Sequence, residues 1–217
     1  MSPPLLPREA LTGLILAGGR GSRMGGVDKG LQTWRGLPLA LHALMRLTPQ
    51  VGELMVNANR NLSAYESFGV PVWPDPVIPG AGDFPGPLAG FLAGLERCET
   101  DWLLAVPCDT PNFPEDLAER LGAAAQAAGA PIALPRAQDA DGVWRSQPAF
   151  CLVRADRMES LLRFLQAGGR KIDRWTDAEG AVLVDFPDAR AFDNLNTLDE
   201  LHAAQARPAE PAAGAPR

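Results

Sequence analysis

The stretch LILAGGRGSRMGGVDKG (residues 14–30) decides how the rest of the chain is read. An apolar run ends at Gly18. From there to Gly30 the chain mixes glycines with Arg20, Arg23 and Lys29. The apolar part, TGLILA (12–17), has the continuous character of a strand buried on both faces. A glycine loop leaving such a strand lets backbone N–H groups approach an anion closely. Arg23 can add a bidentate fork and Lys29 a point charge, so the loop suits a polyphosphate. The bland alternative is a surface loop with incidental charges.

Two familiar phosphate loops do not fit. The P-loop requires Gly-Lys followed by Ser or Thr, whereas Lys29 lies between Asp28 and Gly30. The dinucleotide fingerprint requires GxGxxG, but counting from Gly19 places Met24 at the third glycine. A dinucleotide redox site is therefore disfavoured.

Outward from this loop, apolar runs alternate with helical patterns. Strands are expected at 53–58, 70–73, 102–109, 131–135, 144–153 and 181–186. Helices are expected at 38–47, 61–68, 88–98, 115–128, 155–169, 171–178 and 197–206. In the last of these, Thr197 is a plausible N-cap with Glu200 as its capping-box partner. This alternation implies an α/β fold whose mostly parallel sheet is covered on both faces. Residues 1–10 read as a flexible, Pro-rich lead-in, 11–206 as a single domain, and 207–217 as a disordered tail. In open α/β sheets ligands bind at the carboxyl ends of the strands. The glycine loop, Asn57, Asp75 and Asp109 all follow expected strands and should share that edge.

Composition excludes several classes of function. A chain of 217 residues with net charge -6 is a poor nonspecific nucleic-acid binder. No apolar run approaches the ~18 residues needed to span a bilayer. The opening MSPPLLPRE lacks the basic-then-apolar order of a secretory signal. Three cysteines without a CxxC pair fit neither a disulfide framework nor a zinc site. A cytoplasmic location is expected. His42 and His202 fall in expected helices and read as structural or surface residues.

The loop, quoted as LAGGRGSRMGGVDKGL, resembles the signature of the nucleotidyltransferases that activate sugars, lipids and cofactors. LAGG followed by RMGG and DKG is similar to the molybdenum cofactor guanylyltransferases of bacteria. VNANR (56–60), PGPLAG (85–90), PCDTP (107–111) and NLNT (194–197) agree in order, so the resemblance spans about residues 11–201. It implies a three-layer Rossmann-like nucleotidyltransferase fold. The implied reaction is Mg2+-dependent transfer of GMP from GTP to molybdopterin, with release of pyrophosphate. Leu16, Ala17 and Gly18 would meet the nucleotide through backbone, and Lys29 its phosphates. Asn57 and Asp75 would complete the GTP pocket, and Asp109 would bind Mg2+ and nucleotide. Asn194 and Asn196 would belong to the active centre or the pterin side. Transient contact with other molybdenum cofactor biosynthesis proteins, or with recipient molybdoenzymes, is also implied.

The loop DPVIPGAGDFP (75–85) is longer than the family's usual one, so Asp83 stands beside Asp75 as a candidate. Gln147 and Pro148 could face the second substrate, and Arg136, Arg145, Arg170 and Lys171 could meet the pterin phosphate. Two sibling activities stay open: a molybdopterin cytidylyltransferase and a sugar-1-phosphate nucleotidyltransferase. The first should differ in LAGG and GPLAG. The second usually carries Pro before the loop lysine, where this chain has Asp28. A catalytically silent cofactor carrier is the third alternative, and Lys29 with Asp109 argues against it. An ionised phosphate nucleophile needs no general base, which fits the lack of a Ser-His-Asp or Cys-His arrangement.

Overall fold

The computed structural model describes residues 6–19, 28–80, 86–139 and 141–195. In chain order the elements are β1 (Leu11–Leu16), β2 (Thr33–Trp34), β3 (Leu37–Pro38), α1 (Leu39–Leu47), β4 (Glu53–Asn57), α2 (Leu62–Glu66), β5 (Val72–Trp73) and α3 (Pro87–Leu95). There follow β6 (Trp102–Pro107), α4 (Leu117–Ala128), β7 (Ile132–Gln138), β8 (Trp144–Ser146), β9 (Cys151–Arg154), α5 (Met158–Gln166), α6 (Ile172–Ala178) and β10 (Val182–Phe186).

The main sheet runs β10-β7-β9-β6-β1-β4-β5, with β8 added beside β7. Its β10-β7, β6-β1, β1-β4 and β4-β5 pairings are parallel. Within this sheet, among the described residues, only the pairings of β8 and β9 are antiparallel. β1 lies between β4 and β6 with Leu14 and Ile15 fully buried, which is why its sequence is apolar throughout rather than alternating.

Each face of the sheet is covered by helices. Ile15, Val56, Leu104 and Val106 pack with Leu44 and Leu47 of α1 and Leu117 and Leu121 of α4. Leu14, Met55, Leu103 and Ala105 pack with Phe91 and Leu92 of α3, Leu161 and Leu165 of α5 and Trp175 of α6. The three-layer, mostly parallel architecture expected from the alternation is therefore the one found. Among the described residues, no helix is long and apolar enough to cross a membrane.

Three local expectations need correction. The strand expected at 144–153 is two strands, β8 and β9. Pro148 has no N–H for a ladder, and the intervening chain turns instead, with Phe150 N donating to Gln147 O at 2.9 Å. Residues 6–10, expected in the flexible lead-in, are packed: Leu6 lies on the core, and Arg8 donates to the Thr48 and Val51 carbonyls at 3.2 and 3.0 Å. The helix expected from 115 begins at Leu117, after Asp116. The expected helix 197–206, with Thr197 and Glu200, lies outside the described residues.

Candidate active site

Sheet register builds the site. Leu16 at the end of β1 is level with Asn57 of β4 and Pro107 of β6, and Asn57 is level with Trp73 of β5. The segments that follow therefore emerge side by side. Ala17 N donates to Asn57 O at 2.8 Å and Cys108 N donates to Leu16 O at 3.1 Å. Leu16 and Ala17 thus use backbone groups on the sheet itself, and Gly18 is the first residue past these bonds.

Asp109 stands two residues beyond β6. Lys29, in a short 3-10 turn, Lys29–Leu31, reaches it, and Lys29 Nζ forms an ion pair with Asp109 Oδ2. Both side chains keep 19% exposure, so the pair is open to a ligand. Behind it, Thr110 is fully buried, with its hydroxyl 2.5 Å from Asn194 Oδ1. Leu195 N donates to Asp109 O at 2.9 Å, which ties Leu195, and Asn194 before it, to the same strand end.

Asn57 and Asp75 meet on the other side of Gly18. The buried Asn57 Nδ2 donates to Trp73 O at 3.1 Å and to Asp75 Oδ1 at 2.9 Å. Asn59 Nδ2 donates to the second carboxylate oxygen at 2.8 Å, and Asn59 Oδ1 accepts from Asp75 N at 2.8 Å. The Asp75 carboxylate is therefore oriented by two amides. Close packing around Asn57 requires glycine: a Cβ on Gly90 would come within 2.5 Å of Asn57 Oδ1, and one on Gly18 within 2.8 Å.

Asp28, which the sequence marked only as the residue before Lys29, is a buried carboxylate. Tyr65 Oη donates to its Oδ1 at 2.5 Å and Asn61 Nδ2 to its Oδ2 at 2.9 Å, with Arg60 Nε 3.5 Å away. Burial, reinforced by the bond to Asp28, pushes the Tyr65 phenol above its ordinary range. Asn59, Arg60 and Asn61 were missed as site residues although the first two close the quoted VNANR motif and the third follows it. Their roles depend on where side chains point after the strand ends, which no periodicity reports.

Other expected residues fall elsewhere. Arg136 is paired with Asp185, and Arg145 with Asp139 and Asp141. Arg170 donates to the Leu165 and Gly169 carbonyls at 3.0 and 2.6 Å. These three guanidinium groups are thus engaged with local partners, and Lys171 precedes α6. Gln147 and Pro148 form the turn between β8 and β9. His42 lies 2.6 Å from Trp34 O and packs edge-on against that indole, a structural role. Burial raises the Cys108 thiol well above its ordinary range, with the neighbouring Asp109 charge adding to the shift, so Cys108 is no nucleophile at neutral pH. Arg23, Asp83, Asn196 and His202 lie outside the described residues.

Among the described residues, no three His, Cys, Asp or Glu side chains gather into a metal cage. Asp109 presents a hard carboxylate oxygen beside the lysine. That suits a cation whose remaining ligands are substrate phosphates and water, as Mg2+ prefers.

The chain is similar to known proteins along most of its length. A sequence model of the MobA-like NTP transferase domain matches residues 13–181. A molybdenum cofactor guanylyltransferase of Acidovorax sp. (strain JS42) is 65% identical over 208 residues, covering 92% of this chain and 97% of the relative. A protein of the same name from Bordetella pertussis is 57% identical, covering 93% of this chain and 100% of the relative. Among solved structures, molybdopterin-guanine dinucleotide biosynthesis protein A from Archaeoglobus fulgidus superposes with a TM-score of 0.70 at 20% identity, covering 89% of this chain and 96% of the other. A 4-diphosphocytidyl-2C-methyl-D-erythritol synthase from Anaerococcus prevotii gives 0.71 at 10% identity, covering 91% and 95%. These two likenesses bear on the fold.

Proposed function

The chain belongs to the MobA-like NTP transferase family, and from that premise we propose that it transfers GMP from GTP to molybdopterin, forming molybdopterin guanine dinucleotide. It is a nucleotidyltransferase. A terminal phosphate oxygen of molybdopterin attacks the α-phosphorus of GTP. The new P–O bond forms as the bond from the α-phosphorus to the bridging oxygen breaks, and pyrophosphate leaves with that bond's electron pair. The attacking phosphate is already ionised, so no general base is required.

The observation that carries this reading is the Lys29–Asp109 pair beside the glycine-rich strand end. Catalysis here rests on positioning and on neutralising the triphosphate. Lys29 leaves Asp109 to meet phosphate oxygens as the nucleotide arrives. Asp109 would then hold a divalent cation, which we take to be Mg2+ and which, when bound, supplies charge neutralisation at the transferred phosphoryl group. Gly18 with the Leu16–Ala17 backbone borders the nucleotide, and Arg23 adds charge to the phosphate side. Asn57 and Asp75 form the nucleoside wall. A carboxylate there suits guanine N1–H and N2–H, a pairing that adenine cannot make. Asn194, and Asn196 beside it in sequence, are assigned to the acceptor side. We place the activity in the cytoplasm, with transient contact to other proteins of cofactor synthesis or to recipient enzymes.

The test supplies molybdopterin and Mg2+ with GTP, CTP or ATP in turn, and follows pyrophosphate and dinucleotide. Product from GTP alone is expected. Turnover with CTP would move the assignment to a cytidylyltransferase. Turnover only when a sugar 1-phosphate replaces molybdopterin would overturn the acceptor.

A further inference from the structure

Three consecutive side chains after β4 reach both described ends of the glycine-rich loop. Asn59 Nδ2 donates to Gly18 O at 3.2 Å and Arg60 Nη2 to Gly19 O at 3.4 Å, at the loop's start. At its other end Arg60 Nε lies 3.5 Å from Asp28 Oδ2, and Asn61 Nδ2 donates to the same oxygen at 2.9 Å. We propose that Asn59, Arg60 and Asn61 form a clamp that fixes the mouth of this loop, and that Asp28 is the positioning residue through which the clamp aims Lys29 at the triphosphate. The inference rests on the nucleotidyl-transfer reading above.

Asp28 is built for such a role. A buried carboxylate is costly unless donors and an opposite charge surround it, and here Tyr65 and Asn61 donate to it while the Arg60 guanidinium supplies the charge, 3.5 Å away. Its own carbonyl accepts from Leu31 N at 3.3 Å and Gln32 Nε2 at 3.2 Å, which shapes the turn that carries Lys29. Tyr65 is fully buried, and its Oη occupies the space that a Cβ on Gly30 would need. The backbone of Lys29 is therefore bracketed by a tethered residue before it and a filled wall after it. Asn61 holds φ +50°, a left-handed conformation that Asn tolerates better than most residues and that turns its amide back toward Asp28. Asn59 also grips Asp75, so one residue links the loop mouth to the nucleoside wall. Holding both ends of a loop removes conformations that ligand binding would otherwise have to exclude.

The experiment compares Asn61→Gly, Asp28→Asn and Tyr65→Phe with the parent chain, each also in a Lys29→Ala background. Glycine accepts the φ of Asn61 and deletes only its side chain. GTP affinity is measured by calorimetry with Mg2+ present, and amide hydrogen exchange at Gly18, Gly19 and Lys29 is followed without nucleotide. Each variant should weaken GTP binding about tenfold in the parent and less than about twofold once Lys29 is gone, because residues acting through one group are not additive. Exchange at the loop ends should quicken in Asn61→Gly. Unchanged affinity, or an equal loss in both backgrounds, would overturn the clamp and leave the enzyme assignment standing. A parent chain that binds no nucleoside triphosphate would sink that assignment instead. The exchange arm would still decide the clamp, with unaltered rates in Asn61→Gly counting against it.

Discussion

Lys29 and Asp109 lie 80 positions apart in the chain and form an ion pair at the carboxyl edge of the sheet. A partly exposed pair of this kind contributes only about 0–1 kcal/mol to stability. Its cost must therefore appear in function. Lys29→Ala and Asp109→Asn should each lower kcat/KM for nucleotidyl transfer by about 10²- to 10³-fold, the scale of losing a preorganised charge at a phosphoryl group. Thermal unfolding should stay near that of the parent. A large fall in Tm with only mild kinetic loss would mean that the pair holds the fold rather than the phosphates.

Gly90 poses a contest between helix propensity and packing. It lies in α3, where alanine would gain about 1 kcal/mol of intrinsic helix stability. The added Cβ would stand 2.5 Å from Asn57 Oδ1 and 2.9 Å from Leu16 Cδ2. Overpacking of this kind typically costs about 1–3 kcal/mol, so packing should win. Asn57 cannot yield freely, because its amide already serves Trp73 and Asp75. Gly90→Ala should therefore lower both Tm and GTP affinity, the latter by tenfold or more. Calorimetric titration and thermal unfolding of the one variant check both.

The strand ends show what the sequence could and could not convey. β1 and β6 were legible because strands buried on both faces are apolar throughout, and Asp109 was legible as the carboxylate that stops one of them. β9 was not separable from β8, because its insertion antiparallel between β6 and β7 is a long-range choice that leaves no mark beyond Pro148. Asp28 and Tyr65 were invisible for a related reason. They meet across 37 positions, and each alone looks like an ordinary loop acid and an ordinary core aromatic. Arg136 and Arg145 show the converse: their charge suggested a phosphate contact, and the structure supplies carboxylates on neighbouring chain for both.

Thr110 offers a way to separate the two substrates. Its buried hydroxyl lies 2.5 Å from Asn194 Oδ1 and 3.4 Å from Asp109 Oδ1. Thr110→Val keeps the shape and deletes the hydroxyl, a change worth about 1 kcal/mol where a partner is left behind. With Asn194 assigned to the acceptor side, KM for molybdopterin should rise several-fold while GTP affinity moves less than twofold. Steady-state kinetics with each substrate varied in turn would show it. Equal losses for both substrates would place Asn194 at the nucleotide instead.

The buried thiols set an alkaline limit on stability. Desolvation raises Cys108 and Cys151 well above an ordinary thiol, and both are buried while Cys98 is only partly so. The folded state thus holds these protons more tightly than the unfolded chain does. Their contribution is complete below the unfolded thiol value of about 8.5, and above it each costs about 1.4 kcal/mol of stability per pH unit. Tyr65, also raised, adds the same sign above about pH 10. Urea midpoints should accordingly fall from pH 8.5 to 10, and Cys151→Ala should flatten that slope even as the lost volume lowers the midpoint at pH 7. At pH 8 a thiol reagent should label Cys98 in the folded protein and all three cysteines in urea. Rapid labelling of Cys108 in the folded state would mean that the carboxyl end of β6 opens far more readily than its packing implies.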